Sequence, residues 1–95
     1  MTGATVAVRL PAGLRAWSGG QSVVHLEGAT VAAVLDQLAA AHPDVERRVR
    51  DEQGVLRAHV NVFVGAENIR DLDGLATEIP AGAEVTILPA VSGGA

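Results

Sequence analysis

Short runs in which apolar and polar residues alternate occupy both ends of the chain and predict β-strands. Residues 5–10 place Val6, Val8 and Leu10 on one face, which is the period-two pattern of a half-buried strand. Similar runs cover 22–26, 59–64 and 84–88, and a shorter strand is expected over 67–70. Gly- and Pro-containing segments separate these runs and predict tight turns.

Between the second and third strands the apolar spacing changes to that of an amphipathic helix. Apolar residues recur three and four positions apart over 31–39, so one face of a helix would lie against the sheet. Thr30 can cap its first turn through the side-chain hydroxyl. Pro43 ends the helix, because the residue before a proline avoids the α conformation.

Two further segments are expected to form only short helical turns. The charged segment 44–54 predicts a turn over 45–49 followed by a loop, with its charges on a solvated face. Residues 71–77 predict a turn that buries Leu72 and Leu75.

This order of elements predicts an α+β fold in which a mixed sheet of four to five strands packs on one main helix. The first and last strands are both apolar on one face, so they can pair in parallel at the centre of the sheet. That arrangement is the β-grasp, or ubiquitin-like, fold. Residues 1–88 would form the domain, and 89–95 an extended, flexible tail that carries a Gly-Gly pair and an extra Ala95.

The amino-acid composition and net charge exclude several kinds of function. The 95 residues include no cysteine and carry a formal net charge of −4, with arginine as the only basic residue type apart from histidine. Thiol catalysis and cysteine metal sites are excluded, and a nucleic-acid partner is not expected because it would need a basic footprint. The chain has no apolar run long enough for a membrane span and no signal-peptide pattern, so we expect a cytoplasmic protein. We also expect that it holds no cofactor.

The last residues carry the most specific signal in the chain. The predicted strand runs out through Pro89, Ala90, Val91 and Ser92 to Gly93 and Gly94. Because glycine has no side chain, such a tail could thread a narrow channel and present its terminal carboxylate to another protein. Ala95 follows Gly94, so that carboxylate is absent until Ala95 is removed.

These residues resemble the ThiS/MoaD-like family of ubiquitin-like sulfur carrier proteins. The resemblance is densest after residue 59, and its most specific part is the ending Ile-Leu-Pro-Ala-Val-Ser-Gly-Gly over 87–94. Length, an early Gly-Gly at 19–20 and a long segment after the helix make the chain most similar to the carriers of a cysteine-synthesis route.

The resemblance implies a protein cosubstrate rather than an enzyme, with no catalytic residue of its own. A ubiquitin-activating-like enzyme would use ATP to adenylate Gly94, and a sulfur donor would convert it to a thiocarboxylate. A sulfur-accepting synthase, which could depend on pyridoxal phosphate, would then take the sulfur. A metalloprotease of the JAMM type would remove Ala95, unless Ala95 is an added residue or marks a carrier that has lost its function.

A docking surface is expected beside the tail. Phe63 should face away from the helix, and with Leu88 and Arg9 it could form an exposed patch, unless loops and Trp17 cover it. The three histidines are far apart in sequence and favour surface or capping roles over metal binding.

Two other functions stay open. The chain could be the small subunit of molybdopterin synthase, with its tail inserted into a large catalytic subunit. It could instead be a ubiquitin-like modifier or interaction module, in which Gly94 would end in amide bonds to lysines of its partners. A stand-alone enzyme is disfavoured because the sequence contains neither a recognisable nucleophile motif nor a phosphate-binding loop.

Overall fold

A five-stranded mixed sheet frames the computed structural model, which describes residues 5–89. Its strands lie in the order β2-β1-β5-β3-β4. β1 and β5 are parallel, and the other neighbouring pairs are antiparallel. The parallel pair lies at the centre, as the strand pattern predicted, and the fold is a β-grasp. The strands are β1 (Thr5–Arg9), β2 (Val23–Glu27), β3 (Val60–Val64), β4 (Glu67–Asn68) and β5 (Val85–Pro89).

Two consecutive helices lie on the apolar side of the sheet. Helix α1 (Val31–Ala41) begins at Thr30, whose Oγ1 accepts a hydrogen bond from the N–H of Ala33 at 3.2 Å, so the predicted cap is confirmed. Helix α2 (Pro43–Val49) follows after one residue. Pro43 ends α1 as predicted and also occupies the first position of α2, where a missing N–H costs no hydrogen bond. The turn expected at 45–49 is therefore the main part of a seven-residue helix.

The core lies between the inner face of the sheet and the two helices. Strand residues on this face alternate with outward-facing ones, and every inner-face residue of β1, β2 and β3 is a buried valine or leucine. Burial of these aliphatic side chains supplies most of the stability of a domain this small. The buried core residues are Val6, Val8, Leu10, Val24, Leu26, Val31, Val34, Leu35, Leu38, Val45, Val49, Val60, Val62, Val64, Ile69, Val85 and Ile87.

The start of α1 is fixed by a close approach and by backbone bonds to a distant segment. A Cβ atom at Gly28 would lie 2.8 Å from the backbone nitrogen of Val34, so only glycine allows β2 to turn this tightly into α1. The N–H of Val31 donates to the carbonyl of Thr77 at 3.0 Å, and the N–H of Ile79 donates to that of Ala29 at 2.9 Å. The segment before β5 thus holds α1 in place.

Three local predictions were wrong. The structure has a 3-10 helix over Ala12–Trp17 between β1 and β2, where only the ends of strands and a turn were expected. Strand β4 is two residues long, and the chain continues as a 3-10 helix over Ile69–Asp71. Leu72 was predicted to be buried but is 40% exposed, whereas Leu75 is half-buried against the core. Short 3-10 segments lack the repeating apolar spacing that a longer helix shows.

The charges of segment 44–54 were predicted to lie on a solvated face, and this prediction is wrong for Glu46 and Arg50. Arg50 donates through Nε to Glu46 and through Nη2 to Asp36, 2.9 Å away. The side chains of Arg50 and Glu46 are only 11% and 15% exposed. Burial alone would lower the pKa of Arg50, but the hydrogen bonds and charges of Glu46 and Asp36 outweigh it and raise the pKa. The pair between Arg50 and Asp36 fastens the end of α2 to α1.

Candidate functional site at the end of the last strand

β5 is the central strand of the sheet, and its last two residues pair with β3 alone. β5 pairs with β1 on one side and with β3 on the other, and Pro89 lies opposite Val60. Pro89, which was predicted to begin the tail, is the last residue of the strand. The rest of the predicted tail lies outside the described residues: Ala90, Val91, Ser92, Gly93, Gly94 and Ala95.

The three residues of the predicted docking patch share the outer face of the sheet. Phe63 and Arg9 are both in register with Thr86, from opposite sides of β5, and Leu88 is two residues further along that strand. Phe63 is half-buried, and Leu88 is 42% exposed. Arg9 Nε lies 2.8 Å from a carboxylate oxygen of Glu84. The structure brings the three residues together, and docking of a partner there stays a prediction.

Two shallow grooves flank the end of β5, and sequence reasoning missed both. Each is lined by Pro11, Ile87 and Leu88. The first has a volume of about 230 Å³ and the second about 300 Å³. They were not predictable because one wall of each is built from the 3-10 helix Ala12–Trp17 and its flanking residues. The first groove adds Gly13, Leu14, Arg48, His59, Val60 and Pro89; the second adds Arg9, Leu10, Ala12, Arg15, Ser22 and Thr86.

A cation–aromatic contact holds the 3-10 helix against α2. The guanidinium carbon of Arg48 lies 3.7 Å from the centre of the Trp17 ring, a geometry in which the ring face attracts the cation. Nη1 of Arg48 also donates to the carbonyl of Asp44 at 2.7 Å. Trp17 thus contacts the helix layer, and its side of the molecule is not that of Phe63. The contact fixes Arg48 at the rim of the first groove.

The histidines lie at three separate places in the fold. His25 is exposed on β2, His59 is exposed beside the first groove, and His42 is the backbone link between α1 and α2. Within residues 5–89 the structure contains no group of three or more histidine, aspartate or glutamate side chains placed to hold a metal ion. Over the same residues, no helix combines the length and the apolar character needed to cross a membrane.

A β-grasp domain whose central strand leads toward a Gly-Gly sequence belongs to the class of ubiquitin-like proteins. The family model described as "ThiS family" matches residues 8–94. The chain belongs to the ThiS family, which confirms the resemblance drawn from residues 59–94.

Known relatives agree with this assignment in sequence and in structure. The sulfur carrier protein CysO of Mycobacterium tuberculosis is 43% identical over 91 residues, covering 94% of this chain and 98% of the relative. Its crystal structure superposes with a TM-score of 0.84, covering 90% of this chain and 99% of that one. CysO of Amycolatopsis orientalis, solved in a complex with BexX, is 38% identical with a TM-score of 0.84, covering 93% and 98%. Small archaeal modifier protein 1 of Haloferax volcanii is 39% identical over 88 residues, covering 90% and 97%.

Proposed function

We propose that this chain is a sulfur carrier protein whose Gly94 carboxylate is adenylated and then converted to a thiocarboxylate. In the first step the carboxylate oxygen attacks the α-phosphate of ATP, and pyrophosphate leaves. In the second step a sulfur nucleophile attacks the acyl carbon, a carbon–sulfur bond forms, and the bond to AMP breaks. The partner enzymes supply the catalytic groups, and the chain itself acts as a protein substrate.

The observation that carries this proposal is the match of the ThiS family model through residue 94, which includes the Gly-Gly pair. The position of β5 supports it, because this strand lies between β1 and β3, and Pro89 at its end is held by pairing with Val60 of β3. Rigid support of a reacting group reduces the entropy lost when that group enters a partner's site. The full-length similarity to CysO supports a carrier of that kind.

Activation of Gly94 requires cleavage of the Gly94–Ala95 bond, because an amide cannot be adenylated as a carboxylate can. We assign this cleavage to a metalloprotease of the JAMM type. The thiocarboxylate would then give its sulfur to a synthase, and cysteine is the product that the similarity to CysO favours. The complex of Amycolatopsis orientalis CysO with BexX supports the expectation that such a carrier acts while bound to another protein.

The proposal is tested by the intact mass of the protein recovered from its own cells. We expect loss of the residue after Gly94 and, in part of the population, replacement of one oxygen by sulfur. A purified activating enzyme with ATP should release pyrophosphate in the presence of the chain that ends at Gly94. With the full-length chain, or with a Gly94→Val variant that adds a side chain at the reacting position, the rate of pyrophosphate release should be at least about 100-fold lower than with the chain that ends at Gly94. An unprocessed mass under both sulfur-limited and sulfur-replete growth would contradict the proposal.

A ubiquitin-like modifier is the second candidate, because the similarity to small archaeal modifier protein 1 spans almost the whole chain. In that case Gly94 would end in amide bonds to lysines of other proteins. The chain has no lysine of its own, so it could not form lysine-linked chains of itself. Adducts that survive thiol reagents and contain Gly94 joined to a lysine would favour this function. The role of a small subunit of molybdopterin synthase stays a prediction.

A further inference from the structure

Arginines without carboxylate partners cluster where β5 ends. Arg48 lines the first groove beside Leu88, and Arg15 lines the second. Arg70 reaches back from behind β4 and donates to the carbonyl of Val60 at 2.7 Å, next to Pro89 in the sheet. Among the described residues none of these three arginines forms an ion pair, and neither does Arg57, whereas Arg9, Arg47 and Arg50 all do. Of residues 5–89, no aspartate or glutamate lines either groove.

The opposite end of the same strands carries the other sign of charge. A groove beside Val64, whose partner Val85 begins β5, is lined by Glu67, Asp73 and Glu78, and no basic residue of the described part of the chain lines it. The net charge of the whole chain is −4, so the arginine cluster is a local exception rather than an average property. A local patch of this kind steers a partner of opposite charge and fixes its orientation.

We propose that the surface around the end of β5 docks on a protein surface that carries carboxylates around an apolar centre. We call it the tail-exit surface and define it by Leu14, Arg15, Arg48, His59, Leu88 and Pro89. The inference rests on the proposed function, since the partner is the activating enzyme that receives the segment after Pro89. Carboxylates at the mouth of its channel would pair with Arg15 and Arg48, while apolar side chains would fill the grooves against Leu14 and Leu88.

The lining of the grooves favours a protein partner over a polyanion. Most of their lining is apolar, including Pro11, Leu14, Ile87 and Leu88, and such surface gains free energy only against apolar atoms. Nucleic acid would require a larger number of phosphate contacts from cationic side chains. Arg15 and Arg48 are also held in place, by a bond from Nε to the carbonyl of Leu10 at 3.3 Å and by stacking on Trp17. Fixed cations suit a rigid, specific interface.

The test compares charge changes at matched arginines in the chain that ends at Gly94. Arg15→Glu and Arg48→Glu alter the tail-exit surface. Arg47→Glu makes the same charge change on the exposed side of α2, outside both grooves, and is the control. The probe is the purified activating enzyme of the same organism, and the readout is kcat/KM for ATP-dependent pyrophosphate exchange at several salt concentrations.

We expect Arg15→Glu and Arg48→Glu each to lower kcat/KM by about tenfold at low salt and by about twofold at 0.5 M salt, because surface charges are screened. Arg47→Glu should change it by less than about twofold. Arg48→Gln, which keeps a polar group beside Trp17, separates loss of charge from repulsion, and thermal unfolding checks that each variant is folded.

Two results would overturn the inference. One is equal activity of all the variants at every salt concentration. The other is tight binding of the wild type, lost in Arg15→Glu and Arg48→Glu, to phosphatidylglycerol vesicles or transfer RNA while the enzyme reaction is unaffected. Failure of the wild type to be adenylated at all would instead count against the proposed function, so the two failures are distinguishable.

Discussion

The two ends of β5 differ in how the chain around them is held and in what they expose. At the start of β5 the preceding segment is fixed by backbone bonds from Val31 to Thr77 and from Ile79 to Ala29. At the far end, the walls beside Leu88 have backbone bonds as well, such as that from the N–H of Leu10 to the carbonyl of Ser22 at 2.8 Å, but they also depend on side chains, including the stacking of Arg48 on Trp17. The first end exposes carboxylates beside its groove, and the second exposes apolar groups and arginines.

This difference indicates a division of roles within one small sheet. Backbone hydrogen bonds between distant segments do not depend on the identity of the side chains, so the acidic end can tolerate sequence change while holding α1 on the sheet. Side-chain contacts do depend on identity, so the shape of the tail-exit surface is set by a few residues. Its specificity for a partner is accordingly expected to be sensitive to single substitutions.

The largest effect on this comparison is expected from the ion pairs that Arg50 forms at the end of α2, with Glu46 of the same helix and with Asp36 of α1. Glu46→Gln leaves Arg50 mostly buried with only Asp36 to balance its charge. We expect a loss of about 2 kcal/mol in the free energy of unfolding, because hydrogen bonds to buried charged groups are costly to lose. Chemical denaturation measures this loss. Hydrogen exchange should become faster in α2 and beside the grooves, and should stay nearly unchanged over 77–79.

The matched control is Asp44→Asn, which removes the same charge from an exposed pair with Arg47 at 3.6 Å. Its effect should stay below about 1 kcal/mol. Equal destabilisation by the two variants, or faster exchange spread evenly over both ends of the sheet, would show that the ends are not held independently.

Two equally exposed leucines allow a direct comparison of the ends. Leu88 is 42% exposed at the tail-exit surface, and Leu72 is 40% exposed beside the acidic groove. Leu88→Ala should weaken binding to the activating enzyme by about tenfold, since an apolar anchor in the centre of an interface typically contributes more than 1 kcal/mol. Leu72→Ala should leave the affinity within about twofold, since it lies outside that interface.

Calorimetric titration with the purified activating enzyme measures both affinities. Phe63→Ala, which opens the outer face next to Leu88, then shows how far the interface extends across the sheet. Similar affinities for Leu88→Ala and Leu72→Ala would contradict the prediction that the end of β5 docks on the activating enzyme.

The smallest expected effect is on stability in acid, and it concerns the loop that joins α2 to β3. Asp51 accepts hydrogen bonds from the N–H groups of Val55 at 3.0 Å and Gln53 at 2.9 Å. The bond from Val55, opposed by burial but aided by Gln53 and the charge of Arg57, lowers the pKa of Asp51 below 3.8. Because the pKa is lowered in the folded state, this stabilisation is complete above pH 3.8 and is lost as the pH falls below it.

Asp51→Asn should therefore lower the free energy of unfolding slightly near neutrality, because it lacks this stabilisation at every pH, and should flatten the fall in stability below that pH. Glu52→Gln, an exposed neighbour with the same change in charge, is the control. Acid titration followed by circular dichroism measures both variants. Identical acid transitions in wild type and Asp51→Asn would show that the loop does not contribute to acid stability.

The sequence by itself determined four of the five strands, the main helix and the parallel pairing of the first and last strands. These features depend on repeating patterns: period-two valines in β1 and β3, the three- and four-residue spacing after Thr30, and the stop at Pro43. Each pattern is local, so it can be recognised without knowledge of the rest of the fold. The Gly-Gly ending was equally visible, and it pointed to the family that residues 8–94 match.

Only the tertiary structure decided which residues surround the end of β5 and which charges are buried. Arg48 meets Trp17 although 31 positions separate them in the sequence, and Arg50 meets Asp36 across two helices. Nothing in the local pattern distinguishes buried Arg50 from exposed Arg47, because the packing of α2 on α1 sets that difference. The grooves and the separation of charge arise from contacts between distant segments, and such contacts exist only once the chain has folded.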